Sequence, residues 1–274
     1  GNVPLRAALS LEGIQGKRGY VYWSECLQKW TVPTVHPAFI IRGNANWTAV
    51  WLRDISQALQ IAQEGPPAAP RRELTLDPTI EAAQAWASSW DALGRPPLAF
   101  DLETPGRDKD EDEVEIALGH EAGTIYRIGF AFRATGVTHA LSIPWGASYT
   151  SAVSTLLNAA PIGVVWNRHF DVPRLRSHDL VMPTRIHDAQ EMWHVAFPDL
   201  PKKLEFVAPI LIPGQQYWKD QSFERPAFYN ATDAAVSIEA FEVLYGGGLA
   251  GGEPLTPEAR TLPVHEIVDD DIPF

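Results

Sequence analysis

Apolar positions along the chain change rhythm twice. In AVWLRDISQALQIAQ (49–63), Trp51, Leu52, Ile55, Leu59 and Ala62 recur at helical intervals and predict an amphipathic helix. EGPPAAPRR (64–72) interrupts that rhythm and predicts a linker. Asp77 and Pro78 then read as N-cap and first helical residue. Ile80, Ala83, Ala87 and Trp90 form the following stripe, and Gly94 is the stop. Compact apolar runs come next: LAFDL (98–102), IYRIGFAFR (125–133), HALSIP (139–144) and IGVVW (162–166) predict strands. Residues 151–160 predict a helix, as do stretches near 170–178, 187–197 and 201–211, and a last helix from about 227 to 245. Strands followed by strand–helix alternation imply an α/β fold, a mixed sheet with helices on its faces. Beyond Gly246-Gly247-Gly248 the chain is Gly/Pro-rich and acidic and predicts a disordered tail.

Composition narrows the class. At 45% hydrophobic residues, wholesale disorder is excluded. A single cysteine, Cys26, excludes an internal disulfide and a thiolate-rich zinc or iron–sulfur cage. No apolar run approaches the ~18 residues of a membrane span and no signal peptide opens the chain, so a cytoplasmic setting without membrane contact is expected. The chain begins at Gly1 and has methionine only at 182 and 192, as expected of a processed, tagged or truncated product.

The net charge of −12 argues at first against a nucleic-acid partner. Its location weakens that argument. Residues 101–121 hold nine acids against Arg107 and Lys109, and residues 248–274 hold six against Arg260. The remainder is balanced, and the first 63 residues carry six bases against three acids.

Asp101 and Glu103 stand at i and i+2 at the end of an apolar strand, so both project from one face. They repel each other unless a cation lies between them, for which hard oxygen ligands favour Mg²⁺ or Mn²⁺; the other reading is a solvated strand end that begins an acidic loop. In WNRHFD (166–171), Asn167 and Asp171 lie at a strand-to-helix junction, where Asp171 can equally act as a helix cap. Tyr229 and Asp233, four apart, share one helical face.

Taken in order, D-x-E, then N-x-x-F-D about 70 residues later, then Y-x-x-x-D about 60 residues further resemble the three motifs of the DEDD superfamily of 3′→5′ exonucleases. The tyrosine is similar to the DEDDy branch, which includes proofreading domains of family A DNA polymerases and the ribonuclease D group. The other branch carries histidine five residues before the last Asp, where this chain has Phe228. HDAQEMWHVAFPDLPKKLEFVA (187–208) also resembles the stretch between the second and third motifs. The resemblance covers about 96–247 and implies an RNase H-like fold. It further implies two divalent cations held by Asp101, Glu103, Asp171 and Asp233, with Tyr229 orienting the attacking water and Glu103 assisting. The implied activity is release of nucleoside monophosphates from 3′ ends of single-stranded DNA, in proofreading or repair of phage or bacterial type, with any proofreading serving a polymerase in trans. Asn167 and Phe170 are the expected nucleic-acid contacts, while Phe170, Trp166 and Trp193 also suit a core role. The alternatives are an RNA 3′-end trimmer and a non-catalytic DNA-binding adaptor. The acidic insertion 107–123 reads as a solvated hairpin or loop, or as a barrier to duplex DNA.

Two flanking segments carry resemblances of their own. Residues 1–63, with His36-Pro37-Ala38-Phe39, resemble the carboxy-terminal part of family 4-like uracil-DNA glycosylases. The first half of that family is missing, so a remnant is expected, without glycosylase activity, touching DNA at most through His36 and basic residues such as Arg42. The segment 64–95 is then linker and helix, and 248–274 the acidic tail. Its last residues, Asp269, Asp270, Asp271, Ile272, Pro273 and Phe274, are similar to the tip of bacterial single-stranded DNA-binding proteins. That likeness implies docking to host proteins that recognise the tip.

Overall fold

The computed structural model describes residues 1–104 and 125–246. The acidic insertion 107–123 and the tail with Asp269–Phe274 lie outside the described residues. In chain order the elements are α1 (Asn2–Leu9), α2 (Ile14–Lys17), β1 (Tyr22–Ser24), β2 (Lys29–Thr31), α3 (Pro37–Ile41), α4 (Thr48–Glu64), β3 (Arg72–Leu76), α5 (Ile80–Ala92), β4 (Leu98–Glu103), β5 (Arg127–Ala134), β6 (Val137–Pro144), α6 (Thr150–Ala159), β7 (Ile162–Val165), α7 (Arg168–Ser177), β8 (Arg185–Asp188), α8 (Ala189–Ala196), α9 (Leu204–Leu211) and α10 (Pro226–Tyr245). They divide into two compact units. Of the described residues, one unit comprises Gly1–Ala69, Ala196–Gln216 and 245–246; the other comprises 70–104, 125–195 and Tyr217–Leu244.

The second unit is built on a six-stranded sheet in the order β3-β6-β5-β4-β7-β8. β5 runs antiparallel to both β4 and β6, while the β3–β6, β4–β7 and β7–β8 pairs are parallel. This is a mixed sheet flanked by helices, the α/β class expected. β5 and β6 meet at Thr135-Gly136, both at positive φ (52° and 77°), the twist that two-residue hairpin turns require.

Alternation along the strands gives the sheet two unlike faces. Phe100 and Leu102, Ile128, Phe130 and Phe132, and Leu141 and Ile143 join Trp86 and Trp90 of α5 and Leu156 and Leu157 of α6 in one buried cluster. Each such side chain contributes about 1.5–3 kcal/mol by leaving water. The alternate positions include Ala99, Asp101, Gly129, Ala131, Ala140 and Ser142. That small-residue face receives α10, whose Ala231, Ala234 and Ala235 are fully buried.

Two local expectations are corrected. The Pro-rich segment ends in a strand: Arg72–Leu76 pairs with Thr138–Ser142. What anchors β3 is tertiary, since Glu239 of α10 accepts from Arg72 Nε (2.8 Å) and Thr138 Oγ1 (2.7 Å). Asp77 does not cap α5. It lies at φ 45° with its carboxylate 2.6 Å from Arg127 Nη1, and Thr79 caps instead, its Oγ1 accepting from Ala82 N.

In the first unit, α9 packs on the amino-terminal elements. Arg18 and Asp54 form a fully buried two-point ion pair (2.9 and 3.1 Å), completed by Thr34 Oγ1 on Asp54. Arg18 also donates to Phe206 O, Tyr20 OH to Glu205 O, and the Phe206 ring lies 5.0 Å from Trp47. Residues 196–216 therefore belong with the amino-terminal segment, a partition different from the contiguous 1–63 and 96–247 expected. The aromatic and hydrogen-bond contacts responsible span more than 150 residues of sequence.

Candidate active site

β4 carries Asp101 and Glu103 on the face that receives α10, and α10 carries Tyr229 and Asp233 one turn apart. One carboxylate oxygen from each of Asp101, Glu103 and Asp233 lies within 4.8 Å of the others. The approach is set by Asn230, which sequence reasoning passed over. Its Nδ2 donates to Asp101 Oδ2 (2.9 Å) and Asp101 O (3.1 Å), while Ser142 Oγ donates to its Oδ1 (2.7 Å). Gly129, opposite Asp101 in the β4–β5 register, makes room for it. A Cβ there would stand 2.8 Å from both Asn230 O and Oδ1.

Asp171 arrives on α7. It is buried, and its Oδ1 accepts from Leu102 N (3.1 Å), so it is turned toward the β4 backbone and stands outside the 4.8 Å trio. Its charge still acts on the trio. Burial first, then the neighbouring carboxylates, push Asp101 and Asp171 well above the usual carboxylate range. The same causes raise Glu103 to about 8, with Asp233 the leading neighbour. The centre as folded is short of positive charge.

Among the described residues, one ammonium touches these side chains. Lys219 Nζ lies 2.7 Å from each Asp233 oxygen and donates to Tyr229 OH at 2.9 Å. Trp218 Nε1 donates to Asp233 Oδ1 at 2.7 Å. Burial works against the Lys219 charge, but Asp233 and Tyr229 outweigh it and hold the ammonium protonated. Burial and the Asp233 charge likewise keep the Tyr229 phenol protonated. Neither Lys219 nor Trp218 was expected from sequence. They sit in the irregular segment before α10, where no periodicity marks a site.

The α7 junction has its own support. Asn167 occupies the left-handed region (φ 78°, ψ 71°), rare for a residue with a side chain. Asp188 holds it there: its carboxylate accepts from the backbone N–H groups of Asn167, Arg168, Gln190 and Glu191. Asp188-Ala-Gln-Glu191 has the spacing of a capping box, a signal the sequence did contain. Its physical consequence is that β8, not a helix, occupies 185–188.

The other expected contacts are scattered. Phe170 is half-buried beneath Arg174, whose guanidinium carbon is 3.6 Å from the ring centroid. Trp166 and Trp193 are buried. His36 belongs to the other unit, where its Nδ1 accepts from Ala38 N and caps α3, and Arg42 follows that helix as an exposed residue. Among the described residues, no helix is long and apolar enough to cross a membrane.

No protein-family model matches the chain, and no curated protein matches it. Among solved structures it is similar to Trypanosoma brucei RNase D (14% identity, TM-score 0.47, covering 65% of this chain and 65% of that one). It is also similar to Escherichia coli RNase D, "an exoribonuclease involved in structured RNA processing" (15%, 0.39, 62% and 45%). A third similarity is to Brucella melitensis NrnC with bound Mg²⁺ (13%, 0.41, 64% and 79%). The match spans less than two thirds of either RNase D.

Proposed function

We propose that the chain is a metal-dependent 3′→5′ exonuclease that releases nucleoside monophosphates from the 3′ end of single-stranded DNA. The observation that carries this reading is the convergence of Asp101, Glu103 and Asp233 within 4.8 Å, from a strand and a helix about 130 residues apart that hold the first and third motifs. The donor set fits a hard divalent cation. It is all oxygen, closely spaced and largely withdrawn from water, and burial first, then mutual repulsion, raises the carboxyl pKa values of Asp101 and Glu103.

Asp101, Glu103 and Asp233 would hold two Mg²⁺ or Mn²⁺ ions, with Asp171 beside them. When bound, such ions polarise the scissile phosphate and increase the acidity of water. The protein contributes orientation and proton handling. Tyr229 OH accepts from Lys219, which leaves its own proton to donate to a water or a phosphoryl oxygen. Glu103, beside the ions it would help hold, would assist in orienting the attacking water. Asn230 fixes Asp101, and Asp188 fixes the helix that presents Asp171.

The test is digestion of 5′-labelled single-stranded DNA, and of RNA of the same sequence, with Mg²⁺ or Mn²⁺. Wild type is compared with Asp101→Asn and Asp233→Asn. Stepwise shortening with mononucleotide release in wild type, reduced at least about 10²-fold in each variant, is expected. Shortening of RNA alone would transfer the activity to the RNA alternative. No mononucleotide from either substrate would refute the exonuclease.

A further inference from the structure

The centre contains a cation of its own, and its position is the informative point. Lys219 Nζ does not merely neighbour the carboxylates. It lies 2.7 Å from both oxygens of Asp233, the residue whose carboxylate completes the trio with Asp101 and Glu103. A divalent ion shared by the trio must use an Asp233 oxygen that already accepts from Lys219. Oδ1 also accepts from Trp218 Nε1. The third partner is Tyr229 OH, so one ammonium, with three donors in all, ties the two α10 side chains together. The Lys219 side chain is only 18% exposed and Asp233 5%, so neither charge is offset by bulk water.

We propose that the Lys219 ammonium is the resident counter-ion of this centre. It holds Asp233 and Tyr229 in place before a divalent cation arrives and competes with that cation for the Asp233 carboxylate. The proposal rests on the exonuclease reading for the metal. Its physical content is a trade. Without Lys219, the trio loses the one cation among the described residues that touches it, since Arg174 offsets only Asp171, and it binds a divalent ion more tightly. Tyr229 loses its tether at the same time, so chemistry suffers. Lys219 is thus a positioning residue for Tyr229 and an antagonist of metal binding.

A purely structural lysine predicts something different: metal affinity and turnover fall together when it is removed. The experiment is calorimetric titration of Mg²⁺ into wild type, Lys219→Gln and Lys219→Arg at pH 9, where proton competition at the carboxylates is smallest. Mg²⁺-induced shifts in melting temperature and steady-state digestion are measured in parallel. Lys219→Gln is expected to bind Mg²⁺ about tenfold more tightly or better, and to show the larger thermal shift. Its kcat falls while KM for the strand is little changed. Lys219→Arg keeps the charge and is expected to retain weak metal binding and part of the turnover. Should Lys219→Gln fail to fold, amine labelling of the wild type is the second measurement. Lys219 is expected to be protected without metal and labelled several-fold faster with Mg²⁺.

Equal or weaker Mg²⁺ binding by Lys219→Gln, or labelling of Lys219 indifferent to Mg²⁺, overturns the proposal and leaves the exonuclease intact. Absence of divalent binding in every variant overturns the metal centre itself.

Discussion

Replacing Gly129 with alanine tests whether the approach of α10 to the sheet builds the site. The added Cβ would meet Asn230 O and Oδ1 at 2.8 Å, where ordinary contact begins near 3.4 Å, so α10 must retreat by about 0.6 Å. The obstacle is a backbone carbonyl and a side chain pinned by Ser142 and Asp101, neither of which can swing away cheaply. Overpacking of this kind costs about 1–3 kcal/mol. At about 2–4 °C per kcal/mol for a protein of this size, the melting temperature should fall by roughly 2–12 °C. Retreat of α10 also withdraws Asp233 from Asp101 and Glu103, so the stabilisation by Mg²⁺ should shrink more than the loss of stability alone implies. Scanning calorimetry with and without Mg²⁺ reads both quantities. Gly146→Ala is the control: its backbone is extended and nothing lies within 4 Å of the new Cβ, so no change is expected. A Gly129→Ala protein that melts within about 1 °C of wild type with an undiminished Mg²⁺ shift would refute the close-approach argument.

Glu103 links metal, protons and stability. Its folded pKa of about 8 lies above the unfolded value of 4.5, so its contribution to stability is complete below 4.5 and lost as pH rises through about 8. The metal-free protein should therefore melt lower at pH 9 than at pH 6, and chelator-treated samples followed by circular dichroism would show it. Mg²⁺ affinity should move oppositely, rising up to about tenfold per pH unit below 8 for each proton displaced; calorimetry in buffers of different ionisation enthalpy measures that proton release. Asp188→Ala should cost about 1–2 kcal/mol or more, because four backbone N–H groups lose their acceptor. Asp188→Asn should recover part of this in urea unfolding, and identical midpoints for all three proteins would dismiss the clamp.

The parts of the site legible from sequence are those that follow a period. Asp101 and Glu103 share a strand face because side chains alternate, and Tyr229 and Asp233 share a helix face because they are four apart. The strands from 98 to 166 were visible for the same reason. Lys219, Trp218 and Asn230 were not, for different reasons. Lys219 and Trp218 lie in an aperiodic stretch and reach Asp233 only through the fold. Asn230 sits among helix residues, where a polar position reads as solvent-facing, yet it is fully buried against Gly129. Strand β3 was read as linker because RELTL is short and half polar, and its partner β6 and anchor Glu239 come much later in the chain. Asp171 shows the opposite limit. Its type and position singled it out, but only the structure reveals that its Oδ1 is already engaged by Leu102 N.

The return of residues 196–216 to the amino-terminal elements has a consequence for synthesis. As the chain leaves the ribosome, the first 69 residues emerge without α9, the helix whose Phe206 lies against Trp47 and whose backbone receives Arg18 and Tyr20. Until residue 211 is out, Arg18 and Asp54 have their ion pair but lack part of their cover. The sheet of the second unit waits longer still, because the side chains of Arg72 on β3 and Asp101 on β4 find their partners on α10. Both units therefore reach completion only after α9 and α10 have emerged, and neither a fragment of 1–69 nor one of 96–247 is a closed folding unit. The first lacks α9. The second carries α9 without its partners and lacks β3 and α5. A dissection that respects the chain's own connections has to keep residues 1–246 together.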